Sequence, residues 1–523
     1  MSQLVACSPN FSEGCREDVI SAIADALKET SGCWLLDANP DDKANRTVYT
    51  VVGHPDAVIN AVIAGAKVAK RLINMEKHAG DHPRVGALDV CSFKPVKGVS
   101  KEMCVECSCS FAERLGRELA VPVYLYEMSS TQEHRKTLNQ IRAGEYEGLP
   151  DKIVKPEWRP DYGPPRFVPS WGVTVTGARC YSLNFNINLL ATKEQANRIA
   201  LNIREEGRSP DQPGRLRAVK AQGQMIPERR MAQIAVTVMD HETTPIHVVY
   251  EECLKDAKEL RIAVVGSQLE GMVPLSVLLA AANFYIHRDD LFIIDEDQKL
   301  RLAIERLGLD SLEKFDPKSQ IIEYVIEQGS SGAVLSMPVR GFVEAVAARS
   351  YTPGGLAVAA TAAALGSALA TMSGWMTFGL KRFETLEVTM RELIPPLTRS
   401  TEELMKLMDL SHNENTTSRS QSANVDSDEF QLPIRVMRAV NQCWSPFLQL
   451  AKHASIACKP DMQIGAKNLE TGAWSALQML LSAAQDITNF EQRSKITSEA
   501  RGEMQHCEEM CREVLRLLEQ RTR

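Results

Sequence analysis

Lys77 to Phe93 reads KHAGDHPRVGALDVCSF, and its reading decides what the chain on either side must be. Upstream, Pro55 to Met75 repeats Ala, Val and Ile at helical spacing, with Gly80 as a helix stop. Downstream, Val85 to Phe93 is an apolar strand pattern. The joint holds His78, Asp81, His82 and Arg84 around Gly80 and Pro83. Polar, titratable residues in a Gly/Pro-shaped turn at the mouth of a strand are a common way to build a site.

Working outward, strand patterns at Gln3–Ala6, Cys33–Asp37 and Thr47–Val52 and a helix over Val19–Leu27 precede this block. A helix over Lys101–Leu119 and a strand over Val121–Tyr126 follow it. The order β-α-β-β-α-β-α-β predicts helices layered on a sheet, with a ferredoxin-like sandwich as its nucleus. Asp151 to Trp171 is irregular and rich in Pro and aromatics, which suits the wall of a site. Val173–Leu190 reads as one long strand or a hairpin, and opens a second β-α-β-β-α-β order. Beyond Gly329–Pro338 the strand signals end. Helical periodicity then runs over Val339–Ala348, Leu356–Met376, Leu386–Leu393, Thr401–Met408, Leu432–Ala457, Met462–Ala484 and Thr497–Glu519. Ser411 to Glu429, polar and unable to bury a face, reads as a disordered loop in that bundle.

The 523 residues carry a net charge of -7 without a Lys/Arg-rich run, which argues against a nucleic-acid partner. Thirteen cysteines, scattered and mostly in apolar runs, suit free thiols in a reducing compartment. The N-terminus lacks a signal-peptide pattern, so a cytoplasmic location is expected. Gly354 to Met376 is long enough for a membrane span, but its Ala, Gly, Ser and Thr favour a close-packed bundle helix.

His82 has two readings on its residues alone. Pro83 biases it to extended backbone, where its imidazole can exchange protons near neutral pH. Equally, it can cap the turn. Arg84 and Asp89 are neighbours that could orient it or bind an anion, and Asp37 could approach from an adjacent strand. His78 and His82 lack a third ligand, and Cys104, Cys107 and Cys109 lack a second cluster, so no metal is expected.

NFSEG (Asn10 to Gly14), NRTVYTVVG (Asn45 to Gly53), KHAGDHPRVGALDVCSF, PVYLY, IRAGEYEGLP, FVPSWGVTVTGAR (Phe167 to Arg179), FNINLL and VGSQLEGMVPL together resemble glutamate formimidoyltransferase. With the small-residue helical region behind them, the domain order resembles the bifunctional formimidoyltransferase-cyclodeaminases of histidine degradation. The resemblance implies two ferredoxin-like subdomains with a folate-binding tunnel between them. It implies transfer of a formimidoyl group from N-formimidoyl-L-glutamate to N5 of tetrahydrofolate, a co-substrate expected in polyglutamylated form. The family's catalytic histidine falls on His82. Its folate-binding segment falls on Gly163, Pro164, Pro165, Arg166, Phe167, Val168, Pro169, Ser170, Trp171 and Gly172. In that segment Phe167 and Trp171 are candidates to stack on the folate rings, and Arg166 to pair with a glutamate carboxylate. The resemblance also implies a homo-oligomer and peripheral association with Golgi or cytoskeleton.

The chain departs from the family at several points. Asp37-Ala38-Asn39 replaces Asp-x-Asp, and Pro353-Gly354-Gly355-Leu356-Ala357 replaces a Pro-Gly-Gly-Gly-Ser turn. The family's Asp-Ala-Asp, with its cyclodeaminase acid, aligns with Asp409-Leu410-Ser411, leaving Asp409 as the candidate acid. Late asparagines of the family appear as Met479 and Ala483. The expected architecture is therefore α+β: two ferredoxin-like α/β sandwich subdomains (1–181 and 182–326), a linker (327–336), and an all-α helical-bundle domain (337–523) whose cyclodeaminase chemistry is eroded.

Overall fold

The computed structural model describes residues 3–329, 334–349, 353–414, 428–487 and 489–521. The chain forms two compact units, Met1–Gly329 and Ser330–Arg523.

The first unit opens with β1 (Leu4–Phe11), α1 (Glu17–Lys28), β2 (Cys33–Asp41), β3 (Arg46–Gly53), α2 (Pro55–Leu72) and β4 (Leu88–Lys97). Their sheet order, β2-β3-β1-β4, is antiparallel throughout. This is the ferredoxin-like arrangement expected from the element order. After α3 (Lys101–Leu119), β5 (Val123–Leu125) and β6 (Thr174–Ala178) extend the sheet beyond β4 by parallel pairing. The amphipathic helices follow from ordinary signals. Pro55 starts α2 at a position where its missing N–H costs nothing, and Ser100 caps α3 by accepting from the Met103 N–H. Strand residues alternate. Cys7, Phe11, Cys91 and Phe93 join the core beneath the helices, while Ser8, Asn10, Ser92 and Lys94 take the opposite face.

The second half repeats the plan. β7 (Leu183–Leu190), α4 (Lys193–Ile203), β8 (Val219–Ile226), β9 (Met231–Val238), α5 (Ile246–Glu259) and β10 (Ala263–Glu270) form a sheet of order β10-β7-β9-β8. α6 (Leu275–Arg288), α7 (Glu296–Leu307) and α8 (Ile322–Gly329) follow. Val173–Leu190 is thus neither one strand nor a hairpin. Its halves, β6 and β7, lie in different sheets, separated at Arg179–Ser182.

The second unit is helical: α9 (Val339–Ala347), α10 (Gly355–Trp375), α11 (Glu387–Glu414), α12 (Asp428–His453), α13 (Lys459–Ala483) and α14 (Phe490–Gln520). Two helices expected over 386–393 and 401–408 are one, with Pro395 and Pro396 inside it. Fully buried Ile394 and Leu397 hold the chain through the prolines, so packing outweighs local propensity. The expected loop over 411–429 is shortened, because residues 411–414 continue α11 and α12 starts at Asp428. Residues 415–427 lie outside the described set. By length and composition α10 passes for a membrane span, with a mean hydropathy of 1.6. Its small residues meet other helices. A Cβ on Gly472 of α13 would stand 2.6 Å from the Cβ of Ala363, and one on Gly366 would stand 2.7 Å from the Gly465 carbonyl.

Candidate active site

The turn between α2 and β4 is laced to the turn between β2 and β3. The Asp81 N–H donates to the Lys43 carbonyl (3.0 Å), and the Asn45 side-chain amide donates to the Ala79 carbonyl (2.9 Å). Asn45 adopts a left-handed φ of 46° to make this approach. A Cβ on Gly80 would come within 2.4 Å of the Ala44 carbonyl, so glycine is required there.

His82 is partly buried on this platform. Its Nδ1 stands 2.8 Å from the Pro83 carbonyl, which can only accept. The Pro83 contact places a proton on Nδ1. Nη1 of Arg46 stands against the ring, 2.9 Å from Nε2 and 3.3 Å from Nδ1. His78 is held by partners of its own. Its Nε2 donates to the Asn45 carbonyl (2.8 Å) and its Nδ1 accepts from Nε of Arg84 (3.4 Å). His78 therefore fastens two loops, and no metal pair with His82 is built. Among the described residues no group of three His, Cys, Asp or Glu side chains could hold a metal ion. Burial pushes the thiols of Cys104 and Cys107 up to about 12 and about 11, keeping them protonated.

The neighbours expected to orient His82 do something else. Arg84 pairs with Glu147 (2.6 Å) and Glu145 (3.2 Å), and the hydrogen bond it donates to Glu147 is the main reason its guanidinium is held above its ordinary pKa. Asp89 accepts from the Val85 N–H (2.7 Å) and pairs with Arg142. Asp37 accepts from its neighbours, the Ala38 N–H (2.9 Å) and the Asn39 amide (2.5 Å), and does not line the crevice. The residue that does orient His82 is Arg46, whose only signal in the sequence was its place in NRTVYTVVG. A crevice of about 10 Å³, room for one water, lies against His82 and is lined in part by Asn10, Ser12, Arg46 and Asp89.

The irregular segment lies beside this turn. Gly163 and Gly172 both have left-handed backbones, with φ of 80° and 77°. Gly172 rests on Val85 and Gly86, the Val173 N–H donates to the Val85 carbonyl (2.9 Å), and the Met75 N–H donates to the Ser170 carbonyl (3.0 Å). The segment and the histidine turn are thus one structure. Within it Gly163, Pro165, Arg166, Pro169 and Ser170 are exposed, while Pro164, Phe167 and Val168 are partly buried. The ring of Phe167 lies 5.5 Å from Tyr146, whose hydroxyl donates to the Pro169 carbonyl (2.6 Å). Trp171 corrects the expectation for it. It is 1% exposed and its indole N–H donates to Thr174 (3.0 Å), so its ring is core and offers no face to a ligand.

Sequence reasoning also missed buried polar groups away from the helices. The Asn10 side-chain oxygen and the Asn188 side-chain nitrogen are buried without a hydrogen-bond partner. Asn188 belongs to a row of amides in which Gln224 donates to Gln233 (2.6 Å) and Gln233 to Asn188 (2.9 Å). The alternating asparagines of β7 were the available signal, since a strand that turns Asn184, Asn186 and Asn188 to one side lines something polar.

In the helical unit, Asp409 accepts from the Leu335 N–H (3.0 Å) and is occupied as a backbone cap. The backbone of Ser411 continues α11, and its side chain lies outside the described set. Gly354 caps the start of α10, and a Cβ on Gly355 would stand 2.9 Å from the sulfur of Met479.

Three family descriptions match the chain: "Formiminotransferase domain, N-terminal subdomain" over residues 4–179, "Formiminotransferase domain" over 184–327, and "Formiminotransferase-cyclodeaminase" over 338–413 and 410–502. The chain is 45% identical to a formimidoyltransferase-cyclodeaminase of Dictyostelium discoideum over the whole of both chains. It is 48% identical to one of Mus musculus over 94% of each. A glutamate formimidoyltransferase of Streptococcus pyogenes is 37% identical over 55% of this chain and 95% of its own length.

Proposed function

Because the chain belongs to the formimidoyltransferase-cyclodeaminase family, we propose that its first unit transfers a formimidoyl group from N-formimidoyl-L-glutamate to N5 of tetrahydrofolate. The observation that carries the site assignment is the packing of the His82 turn and the Gly163–Gly172 segment into one structure. N5 attacks the formimidoyl carbon and must lose a proton, and the glutamate nitrogen must gain one before it leaves. His82 Nε2 takes the first proton as the N5–C bond forms and delivers it to the glutamate nitrogen as that C–N bond breaks, so protons balance over one turnover. Nδ1–H, tied to the Pro83 carbonyl, keeps the ring oriented through both steps. Arg46, packed against the ring, helps to hold it in place. Phe167 and the exposed residues of Gly163–Ser170 receive the folate, and Trp171 and Gly172 anchor that wall.

The helical unit keeps the cyclodeaminase scaffold with weak or absent ring-closing activity. Supporting this is Asp409, which spends its carboxylate on a backbone N–H. A displaced acid also forfeits the geometry on which catalysis depends.

Steady-state transfer assays on His82→Ala test the site. Loss of a proton shuttle lowers kcat by about 10²–10⁴-fold. An unchanged kcat would remove His82 from the reaction.

A further inference from the structure

Lys152 is 8% exposed, and among the described residues no carboxylate pairs with it. Its Nζ donates instead to three backbone carbonyls, those of Gln140 (3.2 Å), Ile141 (2.7 Å) and Ala143 (3.0 Å), and lies 3.8 Å from the centre of the Trp158 ring. These carbonyls close the short helix Leu138–Arg142, whose start Thr137 caps by accepting from the Gln140 N–H. A cation at a helix C-terminus satisfies carbonyls that have no intrahelical partner and meets the negative end of the dipole. The ammonium thus fixes the backbone on both sides of Arg142.

From that position Arg142 reaches the histidine turn. Its guanidinium pairs with one oxygen of Asp89, and the other oxygen accepts from the Val85 N–H (2.7 Å). Val85 directly follows His82, Pro83 and Arg84, and Asp89 and His82 line the same crevice. The upstream side of the turn is held at Ala79 and Asp81 by the β2–β3 turn. Its downstream side is held by Asp89, and Asp89 by Arg142. The side chains of Arg142 and Asp89 are 12% and 5% exposed, so water has little room to replace the guanidinium if it shifts.

Burying a lysine is unfavourable. Burial, with Lys155 as the charged neighbour, lowers the Lys152 amine to about 8. An apolar side chain of similar length would fill the same space without that penalty. What it would not supply is a donor for three carbonyls at once, around the arginine on which Asp89 depends. We propose that Lys152 is a positioning residue of the transfer site, acting through Arg142 and Asp89 on the turn that carries His82. This rests on the role proposed above for His82.

The test is a double-mutant cycle on the full chain. The kcat for transfer, with tetrahydrofolate and N-formimidoyl-L-glutamate saturating, is measured for Lys152→Met, Asp89→Asn, the double variant and His82→Ala. Lys152→Gln, which keeps a donor, is taken through the same cycle, so the test does not depend on Lys152→Met folding. A misplacement of about 1 Å at a catalytic group can lower the rate ~10²-fold, and Lys152→Met is expected to lower kcat about 10- to 100-fold. In the Asp89→Asn background it is expected to lower kcat no further, because the route is already cut. An equal fold loss in both backgrounds, as lowered stability alone would give, would overturn the proposal. So would an unchanged kcat in the Lys152 variants. Either result beside an inactive His82→Ala leaves the transfer reading in place. A fully active His82→Ala would sink that reading, and this inference with it.

Discussion

At the scale of single residues, the chain separates groups that look alike in sequence. Phe167 and Trp171 both stand in the proline-rich segment, yet one ring is at the surface of the site and the other is in the core. Phe167→Ala is expected to raise the KM for tetrahydrofolate about 10-fold at little cost to stability, since base-type stacking is worth roughly 1–3 kcal/mol. Trp171→Ala is expected to lose about 3–5 kcal/mol of stability. Steady-state kinetics and chemical denaturation on the same two variants distinguish them. Lys94 offers a test by pH. Its folded pKa, about 8, lies below the unfolded value near ~10.4. Between these values the unfolded chain binds more protons, so this residue's contribution to stability improves as pH rises. Its penalty is full below pH ~8 and vanishes above pH ~10.4. The facing titratable groups are Arg179 and Cys7, and burial raises the Cys7 thiol well above its ordinary value. Lys94→Met is therefore expected to stabilise the chain at pH 7 by about 1–3 kcal/mol, and denaturant melts at pH 7 and pH 10 should show the gain shrinking. His82 and the segment beside it were visible in sequence because Gly and Pro mark forced turns. Arg46, Lys94 and Arg179 were not, because what matters about them is which neighbour lies across a ladder, and no spacing along the chain encodes that.

Among the elements, strand and helix order was readable from period and punctuation, and that order alone carried both ferredoxin-like sheets. Two errors mark its limits. Val173–Leu190 looked continuous because β6 and β7 are both apolar, and the break between them lacks Gly or Pro. α11 looked broken because Pro395 and Pro396 interrupt it, while burial of Ile394 and Leu397 holds it together. In the helical unit the close approach of α10 and α13 depends on residues without side chains. A Cβ at Gly472 would lie 2.6 Å from Ala363 and 2.8 Å from the Ala359 carbonyl. Gly472→Ala is expected to cost about 1–3 kcal/mol through overpacking, read as a lower melting temperature. A Gly502→Ala control, with nothing within 4 Å of the added methyl, should not lower it.

For the molecule as a whole, the proposed function has one unit keep its chemistry and the other keep its shape. The histidine turn, its orienting arginine and the segment beside it form a connected structure in Met1–Gly329. In Ser330–Arg523 the helices pack through small-residue contacts, Ser411 stands where the resemblance places the family's acid, and Asp409 serves as a cap. On the function proposed above, the chain is a formimidoyl transferase joined to a scaffold that does little or no ring closure. The most direct measurement incubates the full chain with tetrahydrofolate and N-formimidoyl-L-glutamate and follows 5-formimidoyltetrahydrofolate, 5,10-methenyltetrahydrofolate and ammonia separately in time. The expected result is accumulation of the 5-formimidoyl product, with methenyl product and ammonia no faster than in a protein-free control. Methenyl product and ammonia appearing at the rate of transfer would contradict it.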